Sequence, residues 1–201
     1  MKKKWGLIPV ICILIFLLIF FRDPERQIPL EGIVSPADGT IIAIESVTAG
    51  DIPVTQKDGI DIFLYDLQGY ITQDSTLIAI FMSPLDVHVN RSPLAGTVSK
   101  IIYTEGGHTM ATSLVLTNER NSIIIQGEIQ VVVIQIAGAF ARRIQCFVQE
   151  GSTVEKGERV GRIILGSQVV LILPQSCPVM TTVGTSVRAG ETVIAQLPYH
   201  G

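Results

Sequence analysis

The chain has 201 residues, 47% of them hydrophobic, and a mean hydropathy of +0.45. That suits one folded domain with a short appendage and excludes intrinsic disorder. Five of the fifteen basic residues (Lys2, Lys3, Lys4, Arg22 and Arg26) fall in the first 26 positions, and residues 27–201 hold 10 basic and 16 acidic side chains. This balance lacks the basic footprint of a nucleic-acid binder. The three cysteines, Cys12, Cys146 and Cys177, form neither a CxxC pair nor a disulfide framework, which argues against structural zinc and thiol redox chemistry.

Residues 5–21, WGLIPVICILIFLLIFF, are 17 uncharged and mostly apolar residues in a row. As a helix they would reach roughly 26 Å, close to the thickness of a bilayer core. Lys2–Lys4 precede the run, charged residues follow it, and no small-residue cleavage site comes after Phe21. The pattern predicts an uncleaved N-terminal membrane helix within an anchor-and-flank segment, 1–26. Pro9 could kink it, and the side of the membrane stays open.

Residues 27–201 read as one β domain. Short β-branched runs recur between Gly, Pro and Asp: 39–47, 61–67, 75–82, 96–104, 112–117, 121–126, 129–138, 142–148, 161–166, 167–174 and 191–197. So many runs predict a mainly β fold, a β-sandwich or barrel. At most a short helical turn fits near 137–143. Segments 150–163 and 184–197 share the pattern G-x-x-V-x-x-G-x-x-V, and 32–44 is a looser relative. Such punctuation belongs to biotinyl/lipoyl-like hairpins, in which glycine supplies the turns. Ordinary hairpins explain it equally well.

Candidate chemistry is sparse. Of the three histidines, His200 is next to the last residue, and His108 sits in the loop-like GGHTM. His88 stands in FMSPLDVHVNRSPLAG, where an extended chain places Asp86, His88 and Asn90 on one face. A carboxylate beside an imidazole can fix its tautomer and stabilise its charged form. Asp38, in SPADGT, is a second carboxylate, although Asp-Gly also reads as a hairpin turn. Gly166-Ser167 interrupts an otherwise apolar run; a bulge or turn explains this, and so does backbone chemistry at an unshielded carbonyl.

Taken together, FRDPER (21–26), SPADGTI (35–41), FMSPLDVHVNRSPLAG (81–96), NER (118–120), IAGAFARRI (136–144), VEKGERVG (154–161) and LGSQVVLILP (165–174) resemble the short-form phosphatidylserine decarboxylase proenzymes. The resemblance implies self-cleavage between Gly166 and Ser167. The Ser167 hydroxyl would attack the Gly166 carbonyl, and the resulting ester would break by β-elimination. The products would be a β chain, 1–166, and an α chain, 167–201, whose N-terminus becomes a covalent pyruvoyl group. That group would replace pyridoxal phosphate, with no metal. Phosphatidylserine would join it as a Schiff base, lose CO₂ and leave as phosphatidylethanolamine. By the same resemblance His88 is the proton donor and the base for self-cleavage, with Asp38 and Asp86 as its orienting carboxylates. Arg142 and Arg143 are candidate partners for the lipid phosphate. The implied partners are the phospholipid, the membrane and the other half of the cleaved chain, with room for a higher oligomer; the implied location is the cell membrane.

The chain departs from the pattern in two places. Some longer relatives carry a second histidine three residues after the first, where Arg91 stands here, and the loop 104–113 lacks the expected Lys and Asn. Three other readings compete. One is an archaetidylserine decarboxylase of the same mechanism, and another a non-enzymatic, membrane-anchored lipoyl-like adaptor. The third, a hydrolase using Ser167 and His88, lacks a GxSxG elbow.

Overall fold

A computed structural model describes residues 7–49, 54–57, 60–107, 116–138, 143–164 and 167–198. One helix, α1 (Leu7–Phe20), precedes β1 (Ile33–Val34), β2 (Gly39–Val47), β3 (Val54–Lys57) and β4 (Ile60–Phe63). After a 3-10 turn at Tyr65–Leu67 come β5 (Ser75–Met82), β6 (Val89–Arg91), β7 (Gly96–Thr104), β8 (Arg120–Gln126) and β9 (Gln130–Ile136). The chain continues through β10 (Arg143–Cys146), β11 (Thr153–Val154), β12 (Arg159–Ile164), β13 (Ser167–Pro174), β14 (Ser186–Val187) and β15 (Val193–Ala195). The expected strand at 112–117 and the helical turn near 137–143 fall mostly outside the described residues.

The expected N-terminal membrane helix is overturned. Helix α1 has 14 residues, so it is about 21 Å long at 1.5 Å per residue. Among the described residues no helix is long and apolar enough to cross a membrane. The physical reason lies at its C-terminal end, where the apolar run turns into the domain. Phe20 is 2% exposed, and the Arg22 guanidinium donates to Ile19 O (2.7 Å) and Leu85 O (2.6 Å).

Eight strands form one antiparallel sheet in the order β11-β7-β8-β9-β13-β5-β2-β14. Strands β10, β12 and β6 form a second sheet, and β1 with β15 and β3 with β4 form two pairs. The central strands of the large sheet are buried on both faces. Ile78, Ile80, Val133, Val169 and Leu171 join one apolar cluster; their neighbours Leu77, Ala79, Val132, Val170 and Ile172 join another, covered by Leu64, Leu67 and Leu116. Burial on both faces is why these strands read as continuous apolar runs rather than alternating ones. Each such side chain contributes about 1.5–3 kcal/mol on burial, so this sheet is the rigid frame of the domain.

A pseudo-two-fold relates two halves of the domain. Gly190 N donates to Ser35 O (2.9 Å) as Gly157 N donates to Ser92 O (2.8 Å). Ile41 N donates to Thr185 O (2.9 Å) as Val98 N donates to Ser152 O (2.8 Å). The exchange is reciprocal at the centre, where Val34 N donates to Pro93 O and Arg91 N to Pro36 O. SPADG (35–39) is therefore the twin of SPLAG (92–96), and 184–193 that of 151–160. The short strands β11 and β14 close opposite edges of the large sheet. Gly157 and Gly190 both have positive φ, 81° and 76°, and meet around Ile28. A Cβ on Gly157 would collide with Ile28, and one on Gly190 would come within 3.1 Å of it.

Candidate active site

Strand β5 ends at Met82, and Ser83-Pro84-Leu85-Asp86 turns the chain back. Pro84 supplies the fixed φ of a turn's second position. Asp86 N donates to Ser83 O (3.0 Å), and Ser83 N donates to the Asp86 carboxylate (2.7 Å). The turn delivers His88 into the interior, fully buried, with its ring 4.2 Å from that of Phe20. His88 O accepts from Ile163 N (3.2 Å) on β12, and Met82 pairs with Ser167 at the start of β13. His88 is thus bonded to β12 near that strand's end, and the strand before its turn, β5, ends opposite Ser167. Gly166 itself, like Arg142, His108 and His200, lies outside the described residues, and Ser167 is described by its main chain.

The protonation of His88 follows from its partners. Nδ1 lies 2.9 Å from Asp86 O, and a carbonyl only accepts, so Nδ1 carries the hydrogen. Nε2 is buried and, among the described residues, has no hydrogen-bond partner. In the neutral ring Nε2 therefore holds a free lone pair. Burial pushes the imidazole pKa below its ordinary value of 6.5. The Nδ1 hydrogen bond and the charges of Asp86 and Asp38 oppose that shift, and Arg22 adds to it. The arrangement is a neutral base with one tautomer and a buried acceptor at Nε2.

The two carboxylates act on His88 through space, while a main-chain oxygen holds the ring. The Asp86 carboxylate closes its own turn. Asp38 accepts two hydrogen bonds of 3.0 Å from Arg26 and one of 2.8 Å from Ala189 N. The Arg26 and Asp38 side chains are 5% and 12% exposed. Beside Val87 a cleft of about 340 Å³ opens between Arg22, Arg26, Asp38, Arg188 and Glu191. Arg91, where some relatives carry histidine, is engaged by Asp23 (2.9 Å) and Gly157 O (2.9 Å), clamping the segment after α1 to the domain. Arg143 is exposed on the edge strand β10, opposite Ile164 in the ladder. Among the described residues no cluster of His, Cys, Asp or Glu could hold a metal ion.

Sequence reasoning missed two features of this site. Phe20, counted with the apolar run, is the cover of His88. A buried amide chain lies behind the histidine: Asn121 Nδ2 donates to Gln135 Oε1 (3.0 Å), and Gln135 Nε2 donates to Asn90 Oδ1 (2.8 Å). Its one signal in the sequence is a glutamine inside the apolar run IQVVVIQIAG.

Comparison with known proteins identifies the family. The family described as phosphatidylserine decarboxylase matches residues 13–195. A Methanothermobacter thermautotrophicus protein, provisionally named an archaetidylserine decarboxylase proenzyme, is 44% identical over 191 residues, 92% of this chain and 82% of its own. A phosphatidylserine decarboxylase proenzyme of Desulfotalea psychrophila is 40% identical over 189 residues, 90% of this chain and 79% of its own. One from Streptomyces coelicolor is 41% identical over 193 residues, 93% of this chain and 76% of its own. The chain belongs to the phosphatidylserine decarboxylase family and is a decarboxylase, a lyase of the zymogen kind.

Proposed function

We propose that the chain cuts itself between Gly166 and Ser167 and then decarboxylates phosphatidylserine to phosphatidylethanolamine. The observation that carries this reading is His88: buried, fixed as the Nδ1–H tautomer, with an Nε2 that has no hydrogen-bond partner among the described residues, on a segment whose main chain bonds Ile163, near the end of β12. An orphaned, buried acceptor is costly unless it has work to do. A pyruvoyl group formed from Ser167 fits this setting, because its site then holds a base and excludes water. That group supplies a carbonyl that draws electrons from the substrate α-carbon as CO₂ leaves. His88 Nε2 takes the proton of the Ser167 hydroxyl during self-cleavage and later moves a proton at the substrate α-carbon. Phe20 keeps water from the ring. Asp38 and Asp86 favour the imidazolium that forms transiently. Arg143, opposite Ile164, is the described candidate for the lipid phosphate.

The products would be chains 1–166 and 167–201. The exposed apolar residues of α1 (Ile8, Leu14 and Leu18 among them) with nearby Leu85 support a working position at a lipid surface. The archaetidylserine reading rests on the 44% identity to the Methanothermobacter protein. The two substrates share a serine phosphodiester, so assay of both lipids side by side decides between them. Intact mass under denaturing conditions tests the mechanism. Wild type should give two chains, the smaller with a carbonyl in place of its amine. Ser167→Ala should give one inactive chain, and His88→Ala should lose decarboxylation. Normal activity in Ser167→Ala would sink the mechanism.

A further inference from the structure

Five arginines are held by carboxylates: Arg26 by Asp38 and Glu191, Arg91 by Asp23, Arg120 by Asp66, Arg159 by Asp23 and Glu25, and Arg188 by Glu191. Arg22, Arg143 and Arg162 have no carboxylate partner among the described residues. These three gather at the foot of α1. The Arg162 guanidinium lies 5.6 Å from the centre of the Phe21 ring, and Phe21 directly follows the helix. A cation held on an aromatic face is kept in place and keeps its charge. Arg22, the next residue, donates to two neutral acceptors, Ile19 O and Leu85 O.

Arg143 joins them through the small sheet. In the β10–β12 ladder Arg143 stands opposite Ile164, and Gln145 opposite Arg162. Cross-strand partners share a face, as do residues two apart on one strand. Arg143 and Arg162 are therefore diagonal neighbours on one face, whereas Ile144 and Ile163 pack into the core. Phe21 and Leu85 add exposed apolar surface at this place, and α1 adds Leu14, Leu17 and Leu18. Elsewhere the domain is acidic, with 10 basic and 16 acidic side chains in residues 27–201. At physiological salt the field of a charge is screened within about 8 Å, so a charged surface feels the face turned towards it. The three uncompensated cations select that face.

We propose that the foot of α1 and the outer face of β10 and β12 form a peripheral docking surface for an anionic phospholipid leaflet. Arg22, Arg143 and Arg162 engage the lipid phosphates, and Phe21 and Leu85 enter the headgroup boundary. The exposed apolar side chains of α1 lie against the same leaflet without crossing it. The consequence for the substrate rests on the decarboxylase reading above. Phosphatidylserine carries one net negative charge and phosphatidylethanolamine none: the carboxylate leaves as CO₂, and the electron pair left on the α-carbon takes up a proton. A surface that requires anionic lipid therefore keeps the enzyme on leaflets that still hold substrate and loosens it from spent ones.

Flotation of the full chain with vesicles tests the assignment. The vesicles are phosphatidylcholine alone or an equal mixture with phosphatidylglycerol, which is anionic but has no amine and so probes the surface apart from the chemistry. Arg143→Gln and Arg162→Gln are compared with Lys100→Gln, which removes the same charge from β7; Lys2–Lys4 stay in every variant. The expected result is that wild type and Lys100→Gln prefer the mixed vesicles, that salt erases the preference, and that each arginine variant binds them about fivefold more weakly. Equal binding of wild type to both vesicles, or arginine variants that bind as Lys100→Gln does, would overturn the surface. If Arg162→Gln melts early because the Phe21 contact is lost, Arg143→Gln decides, since its side chain is exposed. Decarboxylation of phosphatidylserine in detergent micelles is measured beside it. A wild type that is inactive there yet prefers anionic vesicles would sink the decarboxylase reading and support the surface; an active one without that preference would do the reverse.

Discussion

Replacing Phe20 by alanine should uncouple α1 from the domain and raise the pKa of His88. Phe20 is the buried side chain of a helix whose Ile8, Leu14 and Leu18 are 58%, 54% and 75% exposed. Truncating a buried phenylalanine costs about 3–5 kcal/mol. Because α1 has so little other buried contact, the loss falls on docking of the helix rather than on global unfolding. At the low end, 3 kcal/mol lowers the docked fraction relative to the undocked by about a hundredfold. Undocking opens His88 to water. Burial is the leading cause of its depressed pKa, so the value moves back up towards 6.5. The linkage has a definite sign. A histidine with a folded pKa below its unfolded one binds fewer protons when folded. Its contribution to stability is therefore present above 6.5 and lost as pH falls through that value towards the depressed one. Phe20→Ala should flatten this acid loss. The assay is NMR titration of the histidine ring protons in a Ser167→Ala background, with hydrogen exchange of the α1 amides. A His88 midpoint that stays put or falls would refute the reasoning, as would a full loss of global stability with α1 amides still protected.

Asp38→Asn keeps an acceptor for Ala189 N but leaves Arg26 with only Glu191, 3.5 Å away; it should cost about 3 kcal/mol in chemical denaturation, the scale of a broken buried ion pair. An unchanged denaturation midpoint would mean that the pair is not stabilising. At the surface, the Tyr103 hydroxyl donates to Glu119 (2.7 Å), and that bond to a carboxylate pushes its pKa up to about 12. Ultraviolet titration should find a late phenol from Tyr103, and Glu119→Gln should bring it back towards 10; a late phenol indifferent to that change would contradict the contact.

The sequence was most informative where one residue type has one job. The glycines of the repeated segments stand at positive φ, 83° at Gly151 and 91° at Gly184, where their pattern puts the turns. His88 was visible because histidine is scarce, and Asp86 because it stands two positions away. The way they meet was not visible. Alternation along an extended chain predicts side chain facing side chain, whereas a proline turn spends the Asp86 carboxylate on Ser83 and leaves its carbonyl for the ring. The membrane helix was misread because composition reports hydrophobicity and not where a run ends. Phe20 is apolar for the sake of His88. Asp38 could not be separated from a turn residue because its partners, Arg26 and Ala189, come from distant segments. The buried amide chain was hidden for the same reason, since Asn121, Gln135 and Asn90 meet only across three strands.

Strand β13 sits in the middle of the large sheet, hydrogen-bonded to β5 on one side and β9 on the other. Both partners precede it in the chain, so the sheet is complete only once its central member has been added. On the proposed self-processing, that order would act as a safety catch on premature scission. The proposed scission would in turn change what unfolding means. A nicked molecule keeps every rung of the ladder, and β14 and β15 still grip β2 and β1. Once melted, however, it must find its 35-residue partner by collision in dilute solution, with the centre of the sheet vacant and sticky in the meantime. An uncut form could then recover from denaturation as a single chain, whereas a cleaved form would depend on slow unfolding rather than on reversibility.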